Sequence, residues 1–366
     1  MMDRRKSGAR RRFRHISHSP AKAGAIHHSA TLLRLVLIIA FAALSGWWPM
    51  PGSARAAVTI TFLPGTVSID AGLQDALAAA LADAPQATAH SSYFAVSALQ
   101  GADGWLIVSL AGFVQPDAAG AWSLEDANWV GIALAEQQPG GAWLAAVEKT
   151  AAFGEMLQRA PDTLLDANAK ASLMPGRLLG PAATTSYRFP WQPGYNMYYG
   201  MFGLHAGGYS GLGDYKAVDF LSDGNTSAGH APNQLLAAAA GSINYVCKGP
   251  SNAAIRVGEV MYLHLQITNT NLYVGRSFAQ LEPIGPMQPG NFSDYCGWAS
   301  QNDGWFHVHW AFPNTGSFQV SGWSLTWVPT STASSIPWVR DAVTVNPGQW
   351  MQADFMKTSY FPVVYH

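Results

Sequence analysis

The chain has 366 residues, of which 49% are hydrophobic and only 12% charged: enough apolar content for a sizeable core, and more length than one ordinary domain needs. Its formal net charge of −1 conceals an asymmetry, because residues 1–56 carry ten Lys or Arg and one acid, leaving 11 basic against 21 acidic residues beyond them. An acidic body of that kind does not suit a nucleic-acid binder.

The basic segment leads into Leu35-Val-Leu-Ile-Ile-Ala-Phe-Ala-Ala-Leu44 and then Pro51-Gly-Ser-Ala-Arg-Ala56. A positive stretch, a short apolar run and an Ala54-x-Ala56 pattern read as a secretory signal peptide over 1–56, and hence as a secreted, extracellular protein. The competing reading is an uncleaved anchor, for which the apolar run is short against a span of about 20 residues. No other stretch is apolar enough to cross a bilayer, so no stable span is expected after cleavage.

Residues 57–173 read as an α+β unit. Val58-Thr-Ile-Thr-Phe62 is strand-like, and the Ala- and Leu-rich stretch 69–82 has helical spacing. Two apolar runs at 93–98 and 105–110 flank Gly101-Ala-Asp-Gly104, a hairpin composition. Further runs at 129–135 and 142–147 surround a Pro-Gly-Gly turn, and 151–171 reads as one helix. With three basic and twelve acidic residues, one histidine (His90) and no metal-ligand spacing, the unit reads as a propeptide or an accessory folding domain. The Pro-, Gly- and Thr-containing stretch 174–186 reads as a linker open to proteolysis.

From residue 187 the composition turns aromatic and Gly-rich. Strand-like runs at 187–191, 216–221, 235–246, 254–257, 260–267, 305–312 and 318–328 predict a mainly β fold over 187–330. Pattern does not place the remaining extension, 331–366. Both cysteines, Cys247 and Cys296, fall in the β region and are expected to form an intramolecular disulfide. A catalytic thiol at Cys296 served by His307 is the weaker alternative.

The stretch Trp305-Phe-His-Val-His-Trp310 concentrates the chemistry. Strand alternation sends His307 and His309 to one face, roughly 7 Å apart along the chain, and Phe306, Val308 and Trp310 to the other. In Lys216-Ala-Val-Asp-Phe220, Asp219 opposes Val218 and Phe220, so a carboxylate stands on the site-facing side of an apolar strand, where a cation would satisfy it. In Met261-Tyr-Leu-His-Leu-Gln266, alternation groups His264 with Tyr262 and Gln266, away from Met261, Leu263 and Leu265. His205 sits in the Gly-flanked stretch Gly203-Leu-His-Ala-Gly-Gly208. Three N and O ligands with an open fourth position is the arrangement of a catalytic zinc site. Asp214 competes with Asp219 for the carboxylate role, and His230 is a loop residue that either lines the groove or is simply exposed.

The ordered set His205, Asp219, Tyr262-Leu-His-Leu265, Val274-Gly, Ile284-Gly and His307-x-His309 resembles the lysostaphin-type zinc endopeptidases, in particular their staphylolysin branch, over about 187–328. The resemblance implies one Zn2+ per chain held by His205, Asp219 and His309, with His264 and His307 as proton-handling catalytic residues. It further implies a compact antiparallel β-sheet domain and a monomeric hydrolase that cuts Gly-containing bonds in peptidoglycan or other Gly-rich peptides. A catalytically idle relative that binds cell wall is one alternative, and a carbohydrate-binding β protein, suggested by 14 Trp and 13 Tyr, is another.

Overall fold

The computed structural model describes residues 57–62, 69–89, 91–114, 127–174, 187–206, 215–249, 252–266, 271–289, 296, 305–327 and 335–353. The expected signal peptide, His90, residues 175–186 of the linker and Asp214 lie outside these residues. Among the described residues no helix is long and apolar enough to cross a membrane.

The N-terminal unit is built on a five-stranded sheet in chain order: β1 (Thr59–Phe62), β2 (Tyr93–Ala102), β3 (Trp105–Phe113), β4 (Trp129–Gln137) and β5 (Trp143–Val147). β1 runs parallel to β2, and the other pairs are antiparallel. The β2–β3 hairpin turns on Asp103 and Gly104, at φ 53° and 76°. Two successive positive φ values give the turn a twist that matches the strands, which is why Asp-Gly suits this position.

Helix α1 (Ala71–Ala82) starts where the Asp70 side chain accepts the Leu73 amide at 2.8 Å. It buries Leu73, Leu77 and Leu81, one residue per turn, against one face of the sheet. The single helix expected over 151–171 is two, α2 (Ala151–Arg159) and α3 (Ala167–Leu173). Pro161 lacks the amide hydrogen needed to continue α2, and Asp166 restarts the helix by capping the Ala169 amide at 2.8 Å.

Beyond residue 187 the protein is mainly β and antiparallel. A nine-stranded sheet carries β13 (Ser277–Phe278), β10 (Gly241–Lys248), β11 (Asn252–Val257), β12 (Val260–Gln266), β15 (Phe306–Pro313), β8 (Tyr215–Ser222), β6 (Asn196–Tyr199) and β20 (Trp350–Gln352) in that spatial order, with β7 (His205–Ala206) also on β8. β9 (Gln234–Leu236) pairs with β14 (Pro283–Pro286). A four-stranded sheet holds β16 (Ser317–Val320), β17 (Trp323–Thr326), β18 (Trp338–Arg340) and β19 (Val343–Val345). Two expected long strands are each divided. The run 235–246 separates into β9 and β10, and 318–328 folds back on itself at Ser321-Gly322, both at positive φ. Residues of the unplaced tail supply β18, β19 and β20, the last pairing with β6 at the edge of the large sheet.

The two faces of the large sheet are covered differently. On the back, Val218, Phe220, Val308, Trp310 and Phe312 pack with Phe189, Trp191, Phe318 and Trp338 in a dense aromatic core. On the front, Ala217, Tyr245, Ala254, Met261 and Ala311 meet Ala95, Ala111, Phe113 and Val130 of the N-terminal sheet. A buried ion pair, Arg256 Nη2 to Glu148 Oε2 at 2.7 Å, crosses the same contact. Cys247 and Cys296 are joined in a disulfide with Cα atoms 5.6 Å apart, and no cysteine is free, which removes the thiol alternative.

Candidate metal centre

Strand pairing assembles the site. His309 on β15 stands directly opposite Asp219 on β8, and His205 on β7 pairs with Ala217, two residues from Asp219. Directly opposed residues share a face, so the three side chains converge on the front of the large sheet. Gly203, at φ 60°, supplies the turn that lays β7 on β8. At Gly200, a Cβ would lie 3.0 Å from the Asp219 Cβ and 3.2 Å from its carbonyl oxygen, so any side chain there would press on the residue that carries the carboxylate.

His309 Nδ1 lies 3.2 Å from Asp219 Oδ1, His205 Nε2 lies 3.7 Å from the same oxygen, and the two imidazole nitrogens are 3.3 Å apart. All three donor atoms fall within 4.8 Å of one another. Ligands of a tetrahedral zinc, each at about 2.1 Å, are separated by about 3.4 Å, so the spacing fits a small tetrahedral cation. His205 Nδ1 is 2.9 Å from the Gly203 carbonyl, a contact that keeps the proton on Nδ1 and turns the Nε2 lone pair toward Asp219 and His309. The side chains are 27% exposed at His205, 17% at Asp219 and 5% at His309, so the centre opens to solvent on the His205 side.

Burial tends to raise the Asp219 pKa, but His205, then His309 and His307, outweigh it and hold the carboxyl well below the usual carboxylate range. Burial lowers the His307 pKa, and its neighbour His264 lowers it further, to about 3. His307 is therefore neutral at physiological pH. The His264 and His307 ring centroids are 4.5 Å apart, and His264 lies 5.9 Å from His309. All five expected site residues thus come together.

His264 arrives there by a route that alternation does not foresee. The expected grouping with Tyr262 is incorrect. His264 adopts φ 66°, and the β11–β12 register shifts between Ala253 and Ile255, opposite this kink. Tyr262 and Leu265 consequently both join the back core, whereas Met261 and Leu263 face the front, and the His264 ring packs against His307. A left-handed residue inside a strand breaks the two-residue period on which face assignment depends.

An aromatic cluster that the sequence pattern did not single out flanks the centre. Tyr198 stands opposite Leu221, which stands opposite His307, so all three share the front face. Tyr198, Trp305 and Trp350 have ring centroids 5.5 to 5.7 Å apart, and His230 stacks on Trp350 at 3.7 Å while bonding Asp223 at 2.8 Å. Met201 and Phe202, in the loop after β6, are 72% and 64% exposed. The only hint in the sequence was parity, which puts Trp305 on the side of His307.

No family model matches the chain, and neither does any curated protein. Among solved structures, pseudoalterin, described as a novel M23 metalloprotease from the deep sea, matches with 18% identity and a TM-score of 0.28, over 46% of this chain and 99% of its own. The functional reading therefore rests on the geometry of the centre itself.

Proposed function

We propose that this chain is an exported zinc-dependent endopeptidase that cuts Gly-containing bonds of bacterial peptidoglycan or similar Gly-rich peptides. The observation that carries the reading is the His205, Asp219 and His309 cluster at tetrahedral spacing, with two further histidines beside it. Structural zinc sites usually close with four ligands rich in thiolate, whereas this centre offers three N and O donors and opens to solvent at His205. Zinc held by these residues would supply Lewis acidity for polarising a carbonyl and acidifying water.

The chain's own residues do the rest. Asp219 stays ionised, and the Gly203 carbonyl fixes the His205 tautomer. Of His264 and His307, one takes the proton of the attacking water and returns it to the leaving amine, and the other donates a hydrogen bond to the developing oxyanion. The cluster of Tyr198, Trp305 and Trp350 narrows the approach, so a substrate without side chains fits by exclusion of bulkier ones. The N-terminal unit, seated on the same face of the sheet, acts as a propeptide, and 174–186 is the segment cut on maturation.

Purified protein should hold about one zinc per chain by atomic absorption and clear a peptidoglycan suspension, with chelation abolishing both. Zinc bound without hydrolysis of any Gly-containing peptide would instead favour an idle cell-wall-binding module.

A further inference from the structure

We propose that Arg256 is a carboxylate receptor on the sheet floor beside the metal centre, serving a carboxylate-bearing peptide, and that Glu148 of the N-terminal unit occupies it in the intact chain. The identity of the peptide as substrate rests on the endopeptidase reading; the receptor itself does not.

Arg256 stands opposite Met261, and Met261 opposite Ala311, two residues from His309 on β15. Its side chain therefore rises from the front face, in the row next to the centre. Two strand spacings across and two residues along amount to roughly 12 Å, the reach of about four extended residues. One peptide can touch both places.

The guanidinium is held from behind by its own sheet. Arg256 Nε donates to Asn244 Oδ1 at 2.7 Å, and Asn244 is itself anchored through Nδ2 to the Gly258 carbonyl at 2.8 Å. The outer donors turn to the N-terminal unit: Nη2 to both Glu148 oxygens at 2.7 and 2.9 Å, and Nη1 to the Val130 carbonyl at 3.0 Å. A carboxylate together with a main-chain carbonyl is what an acidic peptide would present. Arg256 is 3% exposed and Glu148 4%, so neither charge is stabilised by solvent and the pair is specific to this contact.

The N-terminal sheet makes room for this. At Gly131 a Cβ would meet the Trp129 ring and come within 2.7 Å of Glu148 Oε1. Glycine there admits the carboxylate. The surroundings on the floor, Tyr245, Met261 and Ala254, are apolar and would strengthen a charge-assisted bond to an incoming carboxylate.

The test uses the full chain with chelator present, so that no turnover occurs, and compares a blocked short glycine peptide carrying one Glu with its Gln counterpart. By calorimetry, Glu148→Gln should bind the Glu peptide at least tenfold more tightly than the unaltered chain does and at least tenfold more tightly than it binds the Gln peptide. The double variant Glu148→Gln/Arg256→Gln should lose that preference. Gly131→Ala displaces the carboxylate without removing a charge and should show the same gain. Should both variants fail to fold, hydrogen exchange of 129–137 in the unaltered chain provides the reading. It should rise with the Glu peptide and not with the Gln peptide. Equal binding of both peptides by a folded variant, or equal exchange, makes Arg256–Glu148 a structural ion pair only and overturns the proposal. Loss of zinc chemistry would overturn the endopeptidase reading and leave this comparison standing.

Discussion

At the scale of single residues, the two histidines of β15 have separable jobs. His309 faces Asp219 across the β8 pairing with its Nδ1 3.2 Å from the carboxylate, whereas His307 packs on His264 instead. His309→Ala should lose bound zinc by atomic absorption. His307→Ala should keep most of it and lose about 10²- to 10⁴-fold in hydrolysis, the usual worth of a positioned acid or base. His264 is the strained member, since a left-handed conformation costs a side chain about 1–2 kcal/mol. Asn tolerates that conformation and a β-branched residue does not. In urea unfolding, His264→Val should be less stable than His264→Asn by about that amount, although both lack the imidazole.

Elements bring these residues together, and here the sequence was legible to different depths. The two-residue period of Val218, Phe220, Val308 and Trp310 placed Asp219, His307 and His309 on one face, and β8–β15 pairing keeps them there. The same period misplaced His264, because alternation assumes that every residue is extended. The break at Pro161 and the fold-back at Ser321-Gly322 have local causes that composition could have disclosed. β18, β19 and β20 could not be read, since three-residue strands carry too little pattern to show a period. Nor could Gly200, whose role exists only once the loop after β6 lies on Asp219. Gly200→Ala should cost about 1–3 kcal/mol in chemical unfolding by crowding that contact. It should also weaken zinc binding about tenfold or more by shifting the ligand, as measured with a competing chelator.

For the molecule as a whole, the buried contact between the N-terminal sheet and the large sheet sets the response to alkali. Tyr215 lies in it, and burial pushes its hydroxyl up to about 12, with Arg256 pulling the other way. Burial raises Tyr245 as well. Between pH about 10 and 12 the unfolded chain has released these protons and the folded chain has not. Stability must therefore fall as pH rises through that window. Thermal unfolding should show a falling midpoint there, with tyrosinate absorbance appearing together with unfolding rather than before it. The Cys247–Cys296 disulfide, closing a separation of 49 residues, acts on the unfolded ensemble instead. Replacing both cysteines by Ala should cost about 3–4 kcal/mol in urea unfolding at neutral pH.

Where the two sheets meet, Ala95 and Ala111 on one side face Ala217, Ala254 and Ala311 on the other. Alanine has no rotamers to lose, so at these five positions covering the surface freezes no side-chain motion, and the ordering falls on Tyr245, Met261, Phe113 and the Arg256–Glu148 pair. The alanine part of the floor next to the metal centre accordingly has no alternative side-chain arrangement to adopt. An extended backbone laid there would meet fixed methyl groups at the alanines and movable side chains only at Tyr245, Met261 and Arg256.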